Sequence, residues 1–365
     1  MLRILWLAPN FNHYKARFLN HLANDPNINL TILLGTGRYQ MGHQELEGDW
    51  RFKQIKLNVT KKDFGKSKIV KEALKPIFKD FDWVLIPAEK KNIPVFLFLL
   101  KLRKKYPKSR LFSYNHAQLK SKNHLYSFLD SRLTKFFNNN LDRVIFYTED
   151  ARKRAIENKL VDPNKAFWAN NTIDNIEIEA NYKFQFPPEN QMTLLFIGRL
   201  IPSKRVADVI LYFKSLKERF QNIKLEIIGD GPDNAVVKDS LNNDSSIIWH
   251  GTLVDESKIA PIMKRSSLVF IPGLSGLSIN HAFAYGRPYL TLQADKHGPE
   301  ISYLKSGENG YLLKDNLEFA INIISSLIEN KEMLHEFCEN ARQTGVQLSV
   351  QKWVEQIKSS LLHEK

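Results

Sequence analysis

Short runs of consecutive apolar residues alternate along this chain with longer stretches in which apolar positions recur every third or fourth residue. The first pattern predicts strands buried on both faces, the second helices with one buried stripe. In the first half, strands are predicted at 3–7, 29–34, 83–87, 110–114 and 143–147, with helix-length segments such as 13–23 and 123–137 between them. The second half repeats the scheme, with strands at 193–197, 224–228, 247–249, 268–271 and 289–292. The clearest helix spans 204–220, where Val206, Val209, Ile210, Phe213, Leu216 and Phe220 fall at spacings of three and four. Strands and helices in alternation imply parallel sheets covered on both faces.

At 365 residues the chain exceeds the ~250–300 that one core usually serves, so two α/β domains in tandem are expected. The polar stretch 171–188, ending in Phe186-Pro187-Pro188, reads as the linker. This divides the chain into a first domain (1–175), a second (186–345) and a terminal helix (346–365) returning to the first. Ligands of open α/β sheets bind beyond the carboxyl ends of the strands, so the site is expected where two such sheets face across a cleft.

Composition narrows the class. With 43% hydrophobic and 25% charged residues the chain is globular, not disordered. One cysteine, Cys338, excludes an internal disulfide or a cysteine-rich zinc site and fits a reducing, cytoplasmic setting. The start, MLRILWLAPNFNH, reads as a first strand and not as a signal peptide. The most apolar run, 93–100, is far short of the ~18 residues that span a bilayer, so a soluble protein is expected.

Charge is unevenly placed. Residues 1–185 hold 33 basic and 18 acidic groups, net +15, whereas the remainder holds 20 and 21, net −1. A field of one sign on one half concerns partners: nucleic acid, an anionic membrane surface or an acidic substrate. The densest segment is Lys101-Leu102-Arg103-Lys104-Lys105 with Lys108 and Arg110, directly after IPVFLFLL. Its first reading is an exposed helix end before a buried strand; its second is a segment lying on a membrane.

The loops after the second-half strands hold the candidate chemistry. Strand 193–197 runs into Gly198-Arg199-Leu200-Ile201-Pro202-Ser203-Lys204-Arg205, in which Ser203 is placed to cap the next helix. Arg199 and Lys204 suit a diphosphate, one as a planar fork and the other as a point charge. A Gly229-Asp230-Gly231-Pro232 turn follows the next strand, and Trp249-His250-Gly251-Thr252-Leu253 the one after. Most informative is the segment from Pro272 to Pro288, where Gly273 and Gly276 let backbone amides around Ser275 and Leu277 approach an anion at a helix start. His281, about a turn into that helix, suits either a sugar hydroxyl or a structural hydrogen bond.

Taken in order, these segments resemble the C-terminal half of the retaining glycosyltransferases of family 4, which have the GT-B fold. The resemblance is carried by the Gly198-Arg199 pair with Lys204 five residues on, and by the turn 229–232. It continues in a segment of the form E-G-F-G-L-x-x-x-E-A-x-A-x-G-x-P, matched at Gly276, Leu277, Ala282, Ala284, Gly286 and Pro288. His297-Gly298-Pro299-Glu300-Ile301 and Gly307-Glu308-Asn309-Gly310 resemble the family's next loop and turn. The chain departs at the two glutamates, which fall on Gly273 and His281.

The resemblance implies a GT-B fold with two Rossmann-like domains. It also implies a UDP- or GDP-linked sugar donor, no further cofactor and no metal. Arg199 and Lys204 would grip the diphosphate. Gly198, Gly231, Leu253, Gly273, Ser275, Gly276, Leu277 and His281 would line the donor site, with His281 in a ribose role. His116, after strand 110–114, would face the reacting centre, and the first loop would meet the acceptor through Asn12, His13 and Lys15. Asn171-Thr172-Ile173-Asp174 resembles the interdomain N-G-I-D. The implied acceptor is a glycan or lipid-linked glycan of cell-surface polysaccharide, lipopolysaccharide or capsule synthesis, with the basic first domain on an anionic membrane surface and no nucleic-acid partner. A GT-B sugar-nucleotide epimerase and a non-catalytic basic nucleic-acid- or membrane-binding protein are the alternatives.

Other motifs read as structure. Gly35-Thr36-Gly37 lacks the rest of a dinucleotide fingerprint, and Asp80-Phe81-Asp82 precedes its strand, as a helix-to-strand turn does. P-loop, nucleophile-elbow and H-E-x-x-H motifs are absent from the sequence.

Overall fold

The computed structural model describes residues 1–36, 48–115, 127–293 and 296–363. The chain forms two compact units, Met1–Asn171 with Val350–Lys365, and Thr172–Ser349.

Unit 1 is built on seven parallel strands: β1 (Leu2–Ala8), β2 (Ile28–Leu34), β3 (Lys53–Lys56), β4 (Trp83–Leu85), β5 (Arg110–Asn115), β6 (Arg143–Phe146) and β7 (Ala166–Trp168). Their order across the sheet is β3-β2-β1-β4-β5-β6-β7. One face is covered by α2 (Lys68–Ile77), α3 (Ile93–Lys105), α4 (Ser127–Asn139) and α5 (Glu149–Glu157), whose buried residues include Val70, Leu74, Phe96, Leu99, Phe137 and Ala151. The other is covered by α1 (His13–Ala23) and α13 (Val350–Leu362), which bury Phe18, Leu19, Leu22, Trp353 and Ile357 against Ile4, Trp6 and Tyr114.

Unit 2 repeats the plan with β8 (Thr193–Ile197), β9 (Lys224–Ile228), β10 (Ile247–Trp249), β11 (Leu268–Phe270), β12 (Tyr289–Leu292) and β13 (Gly310–Leu313). These are parallel, in the order β10-β9-β8-β11-β12-β13. Its helices are α6 (Asn175–Asn181), α7 (Val206–Arg219), α8 (Asn234–Leu241), α9 (Glu256–Arg265), α10 (Ser278–Ala284), α11 (Leu317–Glu329) and α12 (Lys331–Gln347). Each sheet thus has the doubly wound order in which the first strand lies between the second and fourth, creating a switch point at β1/β4 and at β8/β11.

The buried strands are where the apolar runs place them. The strands that the pattern passes over, β3, β7 and β13, are three or four residues long and at sheet edges. β3 is Lys-Gln-Ile-Lys, with no apolar run to reveal it, whereas β7 (Ala-Phe-Trp) and β13 (Gly-Tyr-Leu-Leu) are apolar but too short to stand out. The stretch expected as a linker contains α6, and its later part is pinned to unit 2. Arg287, fully buried, donates to the carbonyls of Met263 and Gln185, each at 3.0 Å, and to the Tyr182 hydroxyl at 3.1 Å. Ser203 does not cap α7. It lies in a 3-10 turn (Pro202–Lys204), and the position before α7 is Arg205 in a left-handed conformation (φ 57°) that is tied to Asp208 and Asp315.

The C-terminal helix is integral to unit 1. Trp353 is fully buried and meets the rings of Phe18, Tyr114 and Trp6 at 4.7, 6.0 and 6.4 Å. Trp353→Ala is expected to destabilise unit 1 by about 3–5 kcal/mol in chemical denaturation, the usual cost of emptying a buried aromatic site. Trp353→Phe should cost much less, because the indole N–H it removes has no hydrogen-bond partner. Equal losses for both would show that shape, not burial, sets the contact.

Candidate functional site

The loops leaving β8 and β11 meet at the switch point of unit 2, and their backbones are joined there. Leu274 N–H donates to Ser203 O at 2.7 Å, and Gly273 N–H to Lys204 O at 3.3 Å. The approach is so close that a Cβ on Gly273 would lie 2.2 Å from Ser203 O and 2.8 Å from the Lys204 carbonyl carbon. A side chain at 273 therefore does not fit without displacing the β8 loop. Gly229 is required in the same way on the other side, having φ 130° and a virtual Cβ 1.9 Å from Gly198 O.

This suture sets the position of Lys204. Its side chain lies along Gly198, with Cε and Nζ 3.6 and 3.8 Å from where a Cβ would stand. Lys204 is half-buried and Arg199 is exposed. Burial, with the Arg199 charge adding to it and Glu300 opposing, pulls the Lys204 ammonium down to about 8. The pair is therefore a concentrated positive site in which each cation raises the cost of the other, an arrangement that a bound anion would relieve.

Glu300 and His297, both in the loop after β12, complete this region and were not among the candidates read from sequence. The Glu300 carboxylate is buried beside the bend, with Oε2 3.5 Å from the virtual Cβ of Gly276 and 2.3 Å from that of Gly298. His297 accepts the Ser275 N–H at Nδ1 (3.2 Å) and donates from Nε2 to Leu292 O (2.9 Å). That pattern requires the neutral ring with its proton on Nε2. Burial holds its pKa below the ordinary value, with the Leu292 carbonyl opposing and Lys204 adding to the depression. The bend is held further by Ser275, whose buried hydroxyl bonds Thr291 and receives the Tyr289 hydroxyl at 2.9 Å. Ser275 thus has its hydroxyl, its N–H and its carbonyl, which accepts the Gly298 N–H at 2.6 Å, all engaged within the protein.

His281 is also engaged. It is buried in α10 with Nε2 at 3.1 Å from both carboxylate oxygens of Glu256, which also accepts the Tyr285 hydroxyl at 2.7 Å. Leu277 stands at the N-cap position of α10, and Leu253, in the loop after β10, is half-buried against the core. Gly231 abuts the β8 loop, its virtual Cβ 2.3 Å from Leu200 O. Gly198, Arg199, Lys204, Gly273, Ser275 and Gly276 thus share one locus, with Gly231 and Leu253 on the neighbouring exits.

In unit 1, Asn12 caps α1, its side chain accepting the Lys15 N–H at 3.0 Å, and His13 is the first residue of that helix. Lys15 Nζ donates to Asn10 O at 3.1 Å. Its ammonium is pulled down to about 8 by burial, with Lys61 and Lys91 adding and Glu89 opposing. These residues lie at the β1 exit, the switch point of the first sheet. His116 lies outside the described residues. Asp82 accepts the Arg3 backbone and guanidinium at the amino end of β4, so the D-x-D spelling is structural.

Two parallel doubly wound sheets, with cations and a glycine bend at the second switch point, define the GT-B fold, and comparison with solved structures agrees. Alr3699/HepE of Anabaena in complex with UDP superposes with a TM-score of 0.71 at 16% identity, covering 99% of each chain. The glycosyltransferase of Rickettsia africae ESF-5 gives 0.71 at 15%, covering 100% of this chain and 99% of its own. The apo lipopolysaccharide outer core galactosyltransferase WaaB gives 0.69 at 15%, covering 99% of each. In sequence, residues 177–344, within unit 2, match the family described as Glycosyl transferases group 1. No curated protein matches the chain in sequence.

Binding of a diphosphate anion here, followed by calorimetry, is expected to weaken as pH rises through about 8, because the protonated Lys204 is the form that attracts an anion. Glu300→Gln removes the carboxylate that favours the charged ammonium, so the alkaline fall should move to lower pH. An unchanged profile in wild type and variant would separate Lys204 from the ligand.

Proposed function

We propose that this chain is a retaining glycosyltransferase that moves a sugar from a UDP- or GDP-linked donor to a glycan or lipid-linked acceptor in cell-surface polysaccharide, lipopolysaccharide or capsule synthesis. The supporting observation is the suture that holds Lys204 against the glycine bend at the unit 2 switch point, with Arg199 beside it. Support for a nucleotide donor comes from Alr3699/HepE, which is known with UDP and with UDP-glucose.

In this reading the donor's diphosphate rests on the Gly276–Leu277 backbone between Arg199 and Lys204, the Ser275 N–H being held by His297. Its leaving charge is neutralised by those cations and needs no metal. The acceptor oxygen forms its bond to the anomeric carbon on the face from which the phosphate oxygen departs, and that oxygen takes the acceptor's proton. Catalysis is then positioning together with stabilisation of the leaving diphosphate. His281 meets the ribose through Nδ1 while Glu256 fixes the ring through Nε2. Asn12, His13, Lys15 and His116 serve the acceptor side, and unit 1 works at an anionic membrane surface.

Arg199→Ala and Lys204→Ala should each lower kcat/KM by about 2–3 kcal/mol, roughly 30- to 150-fold, the range for hydrogen bonds to charged groups. Near-normal turnover in both would remove the clamp. His281→Ala should weaken nucleotide binding more than it slows turnover. A thermal-shift series with UDP, GDP, ADP and CMP identifies the base, since only a bound ligand raises Tm. Isomerisation of the donor without acceptor would replace the transferase with an epimerase.

A further inference from the structure

Of the helices on one face of unit 1, α5 is balanced in charge whereas α2, α3 and α4 are strongly positive. Helices α2, α3 and α4 hold nine basic residues against two acidic ones, Glu72 and Asp130, and Asp130 is buried against Lys90. Three contacts set α3 and α4 side by side and parallel. Lys90, just before α3, pairs with Asp130 near the start of α4, the rings of Phe96 and Phe137 stack at 4.0 Å, and Arg103 donates to Asn140 O at 2.8 Å near their ends.

The outer face of this pair is apolar as well as basic. Leu97 is 43% exposed on α3, and Leu129 and Phe136 are 57% and 43% exposed on α4. Leu97 is followed at helical spacing by exposed Lys101 and Lys104, while Lys135 adjoins Phe136. Among the described residues no carboxylate pairs with Lys101, Lys104 or Lys135. Beside α4 lies a hollow of about 480 Å³, lined by Lys135, Asn139, Lys159, Asp162 and Lys165 among others.

A nucleic-acid surface would need the cations without the leucines, and a protein partner would need no such excess of one charge. Large apolar side chains set among lysine heads match the boundary of an anionic bilayer. There the side chains enter the acyl region and the ammonium groups meet phosphates. We propose that the α3–α4 face is the surface by which this protein docks on an anionic membrane, inserting Leu97, Leu129 and Phe136 and holding headgroup phosphates with Lys101, Lys104 and Lys135. This rests on the membrane part of the proposed function and is independent of its transfer chemistry. The face is a two-signal anchor, in which neither three apolar side chains nor three lysines suffice alone.

The test is flotation of the full chain with vesicles of phosphatidylcholine alone or mixed with phosphatidylglycerol. Wild type should float with the mixed vesicles only and be released by salt. Charge reversal by Lys101→Glu, Lys104→Glu and Lys135→Glu together should weaken binding at least about 100-fold, at roughly fivefold per lysine removed and more for reversal. Leu97→Ser, Leu129→Ser and Phe136→Ser together should also abolish capture, whereas Lys214→Glu, Lys224→Glu and Lys258→Glu in unit 2 should leave it intact. All are at exposed or half-buried positions, and circular dichroism with chemical denaturation of each variant reports the fold of both units separately from membrane binding. Unchanged flotation in both α3–α4 variants, equal loss in the unit 2 control, or capture of duplex or RNA in place of vesicles would overturn the assignment.

Discussion

The geometry of unit 2 depends on two backbone hydrogen bonds between loops that are about seventy residues apart in sequence, Leu274 N–H to Ser203 O and Gly273 N–H to Lys204 O. They fix the main chain at the base of a long, flexible side chain. An ammonium on a lysine is a mobile charge; anchored at its Cα and laid along Gly198, it becomes a directed one. Absence of a side chain at 273 makes the suture possible, and the neutral His297 holds the other end of the bend through Ser275 N–H. The Glu300 carboxylate, buried next to the same bend, partly offsets the repulsion between Lys204 and Arg199. The site is thus assembled from the exits of β8, β11 and β12, where the sheet order leaves room for a ligand.

Much of this was legible in the sequence, because parallel strands buried on both faces leave a continuous apolar signature. The strands of unit 2 from β8 to β12 are of that kind, and so is most of sheet A. What escaped was short or externally determined. Edge strand β3 has a pattern no different from a loop, and α6 has seven residues in a stretch whose docking depends on Arg287, a hundred residues away. Ser203 looked like a helix cap because serine before a helix usually is one; here its carbonyl, not its hydroxyl, makes the contact, and Arg205 in a left-handed turn stands before the helix.

The site residues divide in the same way. Arg199, Lys204 and the glycines could be listed from spacing, since the chemistry of a diphosphate demands cations and close amides. Glu300 and His297 could not, because their contribution lies in which backbone they touch. The same holds for His281. Sequence allowed either a ligand or a structural role, and the structure shows Glu256 and Tyr285 around its ring, a fact about α9 that no local pattern in α10 contains. In unit 1 the charge excess was plain from counting, but its concentration beside exposed leucine and phenylalanine required knowing which faces of α3 and α4 are buried.

Gly273 is where the backbone contact between the two loops is most exposed to a single substitution. Calorimetric titration of UDP and of GDP into wild type and Gly273→Ala tests that contact, because a methyl group there must push the Ser203–Lys204 backbone away. With unit 2 still folded by circular dichroism, the nucleotide affinity is predicted to fall at least as far as it does for Lys204→Ala. Wild-type affinity in the folded variant would contradict the claim that this backbone contact positions the cation for the diphosphate.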